Sequence, residues 1–193
     1  MSQPVSYSFF GEDAAQRNFL SRYLDQRFSG LFVENDKFKW QIKVKNRDQV
    51  DKTLPAALQL KAILRIDVLF VGRDSDTANS KVVQELRDHF AKVCTGHQAV
   101  IIMIPVQCIE HWLWYLKRRK ESPGKNSPLE TYNRSEAKTA VYGGKYNVER
   151  QLEKADELLN GLDVDWLESR SESFKQFHQQ VLTFLNNHQT TQP

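Results

Sequence analysis

The sequence predicts an α/β fold, a mostly parallel sheet with helices on both faces, continued by a C-terminal helical extension. Three observations predict it. Strand-like apolar runs at residues 5–10, 66–71 and 99–105 alternate with helix-length amphipathic stretches, the order that builds strand–helix–strand units. The two later runs are almost uniformly apolar, as strands buried on both faces of a parallel sheet are. The last third of the chain reads as helices and loops.

Each element follows from local pattern. Residues 5–10 alternate weakly and are rich in Tyr and Phe, which makes a first strand, broken by Gly11. The next stretch puts Phe19, Leu20, Tyr23, Leu24 and Phe28 on one helical face. Residues 38–45 alternate with period two and predict a half-exposed strand with Lys39, Gln41, Lys43 and Lys45 on its polar side. Residues 48–65 read as helix, with Pro55 interrupting it or starting its better part. After the strand at 66–71, a helix over about 78–93 turns Val82, Val83, Leu86 and Phe90 inward. The strand at 99–105 leads to a helix over 109–120 whose core face is Ile109, Trp112, Leu113 and Leu116. Ser, Pro, Gly and Asn mark 121–128 as a loop. Helices over about 147–160 and 172–187 follow, and 189–193 is expected to fray. There is no internal repeat and no low-complexity segment.

A chain of 193 residues is most economically one domain, with a core over about 5–116 and a basic loop and helical part over 117–193. Its 40% hydrophobic and 26% charged residues are those of a globular protein. No secretory signal is visible at Met-Ser-Gln-Pro, and the longest apolar run, 99–106, is far short of the ~20 residues that span a bilayer. Cys94 and Cys108 have no metal-ligand spacing, so a reduced, cytoplasmic protein is expected. The net charge of +3 is uneven. From Lys117 to Tyr146 eight Lys/Arg (Lys117, Arg118, Arg119, Lys120, Lys125, Arg134, Lys138 and Lys145) face three Glu, a local excess that reads either as a phosphate-facing surface or as a solvated charged face. The P-loop motif and the Gly-x-Ser-x-Gly elbow are absent, and the five histidines show no zinc spacing.

The chemistry lies in the acids that end the strands. Asp74 and Asp76 stand two apart just after the strand at 66–71. In extended chain both point to one side, at the carboxyl edge where open α/β sheets bind their ligands. Glu12 follows the first strand and Glu110 the third. In a parallel sheet all four carboxylates gather at one edge, where their repulsion predicts a bound divalent cation. Oxygen ligands favour Mg²⁺ or Mn²⁺. The plainer readings are that Asp74 or Asp76 caps the following helix, and that Glu12 and Asp13 complement the positive end of theirs. Glu110 is expected to aim away from the main core, on the side of Trp114 and Lys117.

Glu12 after a first strand, Asp74-Ser-Asp76 after a later one and Glu110-His-Trp-Leu113 after the next resemble the Toprim fold. The likeness covers about residues 6–116 and is nearest to small bacterial Toprim-fold proteins. These are similar to nucleases of the overcoming-lysogenization-defect group and to related phage-defence proteins. The pattern's Gly after its first Glu is Asp13 here, and its second opening acid falls at Gln16. The resemblance implies a Rossmann-like sheet and a metal-dependent nuclease acting on DNA or RNA. Asp74 and Asp76 would be the core Mg²⁺ ligands, Glu12 a ligand or general acid/base, and Glu110 a further ligand or water-orienting group. Lys145, beside the Gly143–Gly144 pair, is either a transition-state phosphate ligand or a plain surface lysine. Lys43, Lys45 and Lys117 to Lys120 would grip the nucleic-acid backbone. Large nucleases of this fold carry an ATPase in the same chain and this one has none, so the resemblance implies that it either acts alone or works with a separate ATPase subunit. A homo-oligomer is a further partner state. A second function class stands beside the nuclease, a non-catalytic Toprim-fold binding or sensor module that docks on a partner protein or nucleic acid.

Overall fold

A computed structural model describes residues 4–42, 44, 46–144 and 147–191. Four strands, β1 (Val5–Gly11), β2 (Phe32–Glu34), β3 (Val68–Gly72) and β4 (Val100–Met103), form a sheet in the order β2-β1-β3-β4. All three pairings are parallel. Alternation along each strand divides the side chains between two cores. Tyr7, Val68, Phe70, Ile101 and Met103 face one; Phe10, Leu69, Val71 and Ile104 face the other.

Helix α1 (Ala14–Arg27) packs in the first core through Phe19, Leu20, Tyr23 and Leu24. Helices α2 (Asp36–Gln41), α3 (Arg47–Ile63) and α4 (Ser80–Val93) supply the second. The chain leaves β1 toward β2 over one face and returns past it to β3 over the other. The order of the sheet therefore reverses between β1 and β3, and a crevice opens beyond their C-terminal ends. Helix α5 (Glu110–Glu121) then runs back over the first face. It is joined there by α6 (Arg134–Tyr142), α7 (Val148–Leu159), α8 (Val164–Arg170) and α9 (Glu172–Thr191).

Aromatic packing ties α9 to the rest. The Trp112 ring lies 5.1 Å from Phe19, 5.3 Å from Phe174 and 5.8 Å from Phe177, and its Nε1 donates to Ser173 Oγ at 2.8 Å. Strand β4 ends the sheet. The Gln180 amide covers that edge by accepting from Ile102 N and donating to Ile102 O, both at 3.0 Å, which blunts an otherwise open ladder.

Three expectations are corrected. Residues 36–41 are helical, not part of a strand over 38–45. Asn35 caps α2 by accepting from Lys37 N at 3.1 Å, and Phe38 and Ile42, spaced i and i+4, pack in the second core. Lys43 and Lys45 lie outside the described residues. On α4 Val83 and Phe90 are buried and Leu86 packs partly buried beside Phe90, but Val82 is 45% exposed, because the buried stripe runs 83, 86 and 90 and leaves 82 to one side. Pro55 sits inside a continuous α3 on its exposed side, where a backbone carbonyl without its helical donor is not sealed in the core. Among the described residues no helix is long and apolar enough to cross a membrane.

Two glycines shape the crevice. Gly11 and Gly72 are register partners at the ends of β1 and β3. A Cβ at 72 would stand 2.5 Å from Gln16 Oε1 and 2.7 Å from the Phe9 ring. Gly72→Ala is expected to cost about 2 kcal/mol through this overpacking, read as a lower urea midpoint at unchanged slope. A midpoint equal to wild type would show that Gln16 moves aside freely.

Candidate functional site

Glu12, Asp74, Asp76 and Glu110 lie together in the crevice beyond β1, β3 and β4. Asp74 is fully buried. Its Oδ1 accepts from Gln16 Nε2 at 2.7 Å and from Ile109 N at 3.2 Å, so the carboxylate sits at the N-terminus of α5. Helix α5 has no side-chain cap of its own at Ile109, and Asp74 fills that role from another strand, favoured by the helix dipole. The Glu12 Oε1 atom accepts from Asp74 N at 3.0 Å and from the same Gln16 Nε2 at 3.4 Å. One amide thus joins the acids that follow β1 and β3.

Neither Asp74 nor Asp76 caps α4; its cap is Asn79, which accepts from Lys81 N and Val82 N. Asp13 does cap its helix, accepting from Gln16 N at 2.8 Å. The backbone carrying Asp76 is left-handed, φ +55°, opposite Gln107 at φ +65°. Asp76 N donates to Gln107 O at 3.0 Å, and Gln107 N donates to Ser75 Oγ at 2.8 Å. This pairing of the 73–77 and 103–107 segments turns the Asp76 side chain toward three arginines.

Arg134 belongs to the basic stretch over 117–146, but no local pattern in the sequence pairs it, Arg47 or Arg73 with these acids. The Asp76 carboxylate receives Arg134 Nη1 on Oδ1, with Arg47 Nη1 at 3.0 Å and Arg73 Nη1 at 3.5 Å from Oδ2. The other guanidinium nitrogen of Arg134, Nη2, is 3.2 Å from Asp74 Oδ2. Arg73 also pairs with Asp51 at 3.4 Å. Helix α6 supplies a polar ridge at i, i+4 and i+8. Arg134 bridges Asp74 and Asp76, while Lys138 Nζ is 3.6 Å and Tyr142 Oη 3.4 Å from Glu110 Oε1. Glu110 is therefore 3% exposed and covered by α6, not directed to an open surface. The Asn133–Glu136 capping box that starts α6 is a sequence signal for this helix.

The electrostatics are those of crowded, dry acids. Burial, followed by the neighbouring Asp13 and Glu12, pushes the Asp74 carboxyl well above the usual range. Burial raises Glu12 and Asp13 as well. Burial pulls Arg134 down, but Asp74 and Asp76 outweigh it and the guanidinium is held more firmly protonated than usual. His111 is pulled down by burial and bonds Tyr132 O through Nε2 at 3.0 Å, a structural contact that fixes the loop before α6.

Three buried oxygens at or beside these acids have no hydrogen-bond partner: Gln16 Oε1, Asp74 Oδ2 and Glu110 Oε2. Buried oxygens without donors are the chemistry a hard cation takes, and the donor set fits Mg²⁺ or Mn²⁺. Among the described residues no three Asp, Glu, His or Cys side chains stand close enough to enclose an ion; Arg134 bridges Asp74 and Asp76 in its place. The basic run on α5 is elsewhere. At 1.5 Å per residue, Lys117 to Lys120 lie roughly 10–15 Å along the helix from Glu110, and four consecutive residues circle the helix instead of sharing a face. Each is engaged within the chain. Lys117 donates to Ala140 O at 2.6 Å, Arg118 to Ser127 O at 2.5 Å and Lys120 to Glu157 O at 2.7 Å, and Arg119 pairs with Asp163. Lys145 lies outside the described residues. Comparison with family models, with curated proteins and with solved structures finds no match to this chain.

Proposed function

We propose that the protein is a metal-dependent phosphodiesterase acting on nucleic acid, a Toprim-type nuclease of the kind found in phage defence. The observation that carries this reading is the group of buried oxygens without a hydrogen bond, Asp74 Oδ2, Glu110 Oε2 and Gln16 Oε1, at the point where the sheet order reverses. Asp74 and Asp76 would hold Mg²⁺ or Mn²⁺ with help from Glu12 and Glu110. Bound there, the ion supplies Lewis acidity and an ionised water. Glu12, with its carboxyl raised by burial, is placed to move a proton at the rim of the site. Gln16 keeps Glu12 and Asp74 in register, and Tyr142 and Lys138 orient Glu110. Arg47, Arg73 and Lys138 put positive charge beside the acids, where a phosphate backbone would run.

The test is incubation of plasmid DNA and of total RNA with Mg²⁺, with Mn²⁺ and with chelator, beside a thermal melt under the same conditions. Cleavage that needs the metal is expected. A rise in Tm of about 5–10 °C is expected once the metal exceeds its Kd by about 100-fold. A metal-dependent Tm rise without cleavage of either substrate would favour a non-catalytic module that docks on nucleic acid or on a partner such as a separate ATPase. No cleavage and no shift would end the metal reading.

A further inference from the structure

Helix α6 opens with a cation at its wrong end. Arg134 is its first residue, where the helix dipole disfavours positive charge, yet it is half-buried between two aspartates. Its two terminal nitrogens divide between Asp74 and Asp76. The Asp74 Oδ2 atom it faces forms no hydrogen bond, so at 3.2 Å the contact is an ion pair without hydrogen-bond geometry. The guanidinium neutralises both acids, hydrogen-bonding Asp76 Oδ1 while leaving Asp74 Oδ2 without a hydrogen bond. A planar fork matches a phosphate as well as a carboxylate. The Arg134 side chain is 37% exposed, so it borders solvent at the mouth of the crevice. Arg47, beside it on Asp76, is 54% exposed.

We infer that Arg134 is the phosphate-binding residue of this site, stored on Asp74 and Asp76 as an internal cation until a divalent metal and a phosphate group replace both halves of the pair. The metal takes the two carboxylates and the phosphate takes the guanidinium. The exchange conserves charge partners on both sides, so neither ligand alone is well accommodated. Metal without phosphate strands Arg134 near a second cation, and phosphate without metal strands the acids. Each ligand must therefore raise the affinity of the other, by the same factor. The inference rests on the metal reading of the site but not on cleavage.

Calorimetric titration of Mn²⁺ into the full chain tests it, with and without a nucleoside 3′,5′-bisphosphate, which carries phosphate but no diester to hydrolyse. In the wild type the bisphosphate is expected to tighten Mn²⁺ binding at least 10-fold. Arg134→Gln is expected to bind Mn²⁺ alone at least 10-fold more tightly than wild type, because the competitor is gone, and to show little further gain with the bisphosphate. Arg134→Lys, which keeps the charge but not the fork, is expected to fall between them. A circular-dichroism melt confirms that each variant is folded, and α6 retains its Asn133–Glu136 box in both. Arg134→Gln binding Mn²⁺ no more tightly than wild type overturns the inference, as does a bisphosphate effect of equal size in the two proteins. The absence of Mn²⁺ binding in all three overturns it together with the metal reading. The expected linkage in a protein that cleaves nothing supports the inference and removes the nuclease reading alone.

Discussion

Asp74→Asn is expected to lower metal-dependent cleavage by about 10³-fold, the scale on which loss of a central charge-stabilising group acts. The amide still accepts from Gln16 Nε2 and Ile109 N through its oxygen, so the fold around it stays. Its NH₂ group then faces Arg134, and the proposed metal site would lose its most buried carboxylate. The variant should be no less stable without metal. Asp74 is held well above the usual carboxylate range, first by burial. Its favourable contribution is thus complete at low pH and lost as pH rises through the raised value. An asparagine has no such loss, so the variant should equal wild type in acid and match or exceed it at neutral pH. Asp76→Asn should behave differently. Asp76 is 20% exposed and shared by Arg47, Arg73 and Arg134, and removing it leaves those guanidinium groups without their common partner. A loss of about 1 kcal/mol is expected. Cleavage rates beside urea titrations over a pH series decide both points. Undiminished cleavage by the Asp74 variant would assign the activity to a contaminant.

Trp112→Ala is expected to cost about 3–5 kcal/mol, the range for emptying a large aromatic site in a core. The indole is fully buried against Phe19, Phe174 and Phe177, so the cavity would open where α1, α5 and α9 meet. Ser173 Oγ would also lose the Nε1 donor. Chemical denaturation measures the loss. Trp112→Phe, which refills most of the space, should recover more than half of it. A cost below about 1 kcal/mol for the alanine would mean that α9 is not held to the sheet by this packing.

The parts of this fold legible in the sequence are those with a pattern longer than their competitors. The uniform run in β3 is buried on both faces of the sheet, whereas the equally apolar β4 is an edge strand with Val100 and Ile102 half-buried; the acids that follow both strands fall at the carboxyl edge. The stretch from Phe38 failed because Phe38, Trp40, Ile42 and Val44 satisfy period two, while Phe38 and Ile42 also satisfy i, i+4. The Asn35 cap decides between the two patterns. Helix α6 was hidden by its nine-residue length, although Asn133 and Glu136 mark its start. The carboxylates were legible and their partners were not. Arg134 lies 58 residues from Asp76 and Arg47 lies 29, and nothing local in either stretch announces a pairing made only by tertiary structure. The basic run on α5 looks like one surface in sequence, whereas its consecutive charges point around the helix in space.

The docking of α9 also fixes when this protein can be finished. The bond between Tyr23 Oη and His178 Nδ1, 2.6 Å long, spans 155 residues, and the aromatic cluster around Trp112 is closed by Phe174 and Phe177. During synthesis at about 5–20 residues per second, the strands and the first five helices exist for some seconds before that lid is made. Until then Phe19, Tyr23, Phe70 and Trp112 lack the aromatic contacts that Phe174 and Phe177 give them. A chain halted there offers a sticky aromatic surface to its neighbours, whereas the opposite face, built by α2, α3 and α4, closes early from nearby segments. The carboxylate crevice draws none of its paired groups from α9; its last contributor along the chain is α6, with Arg134, Lys138 and Tyr142.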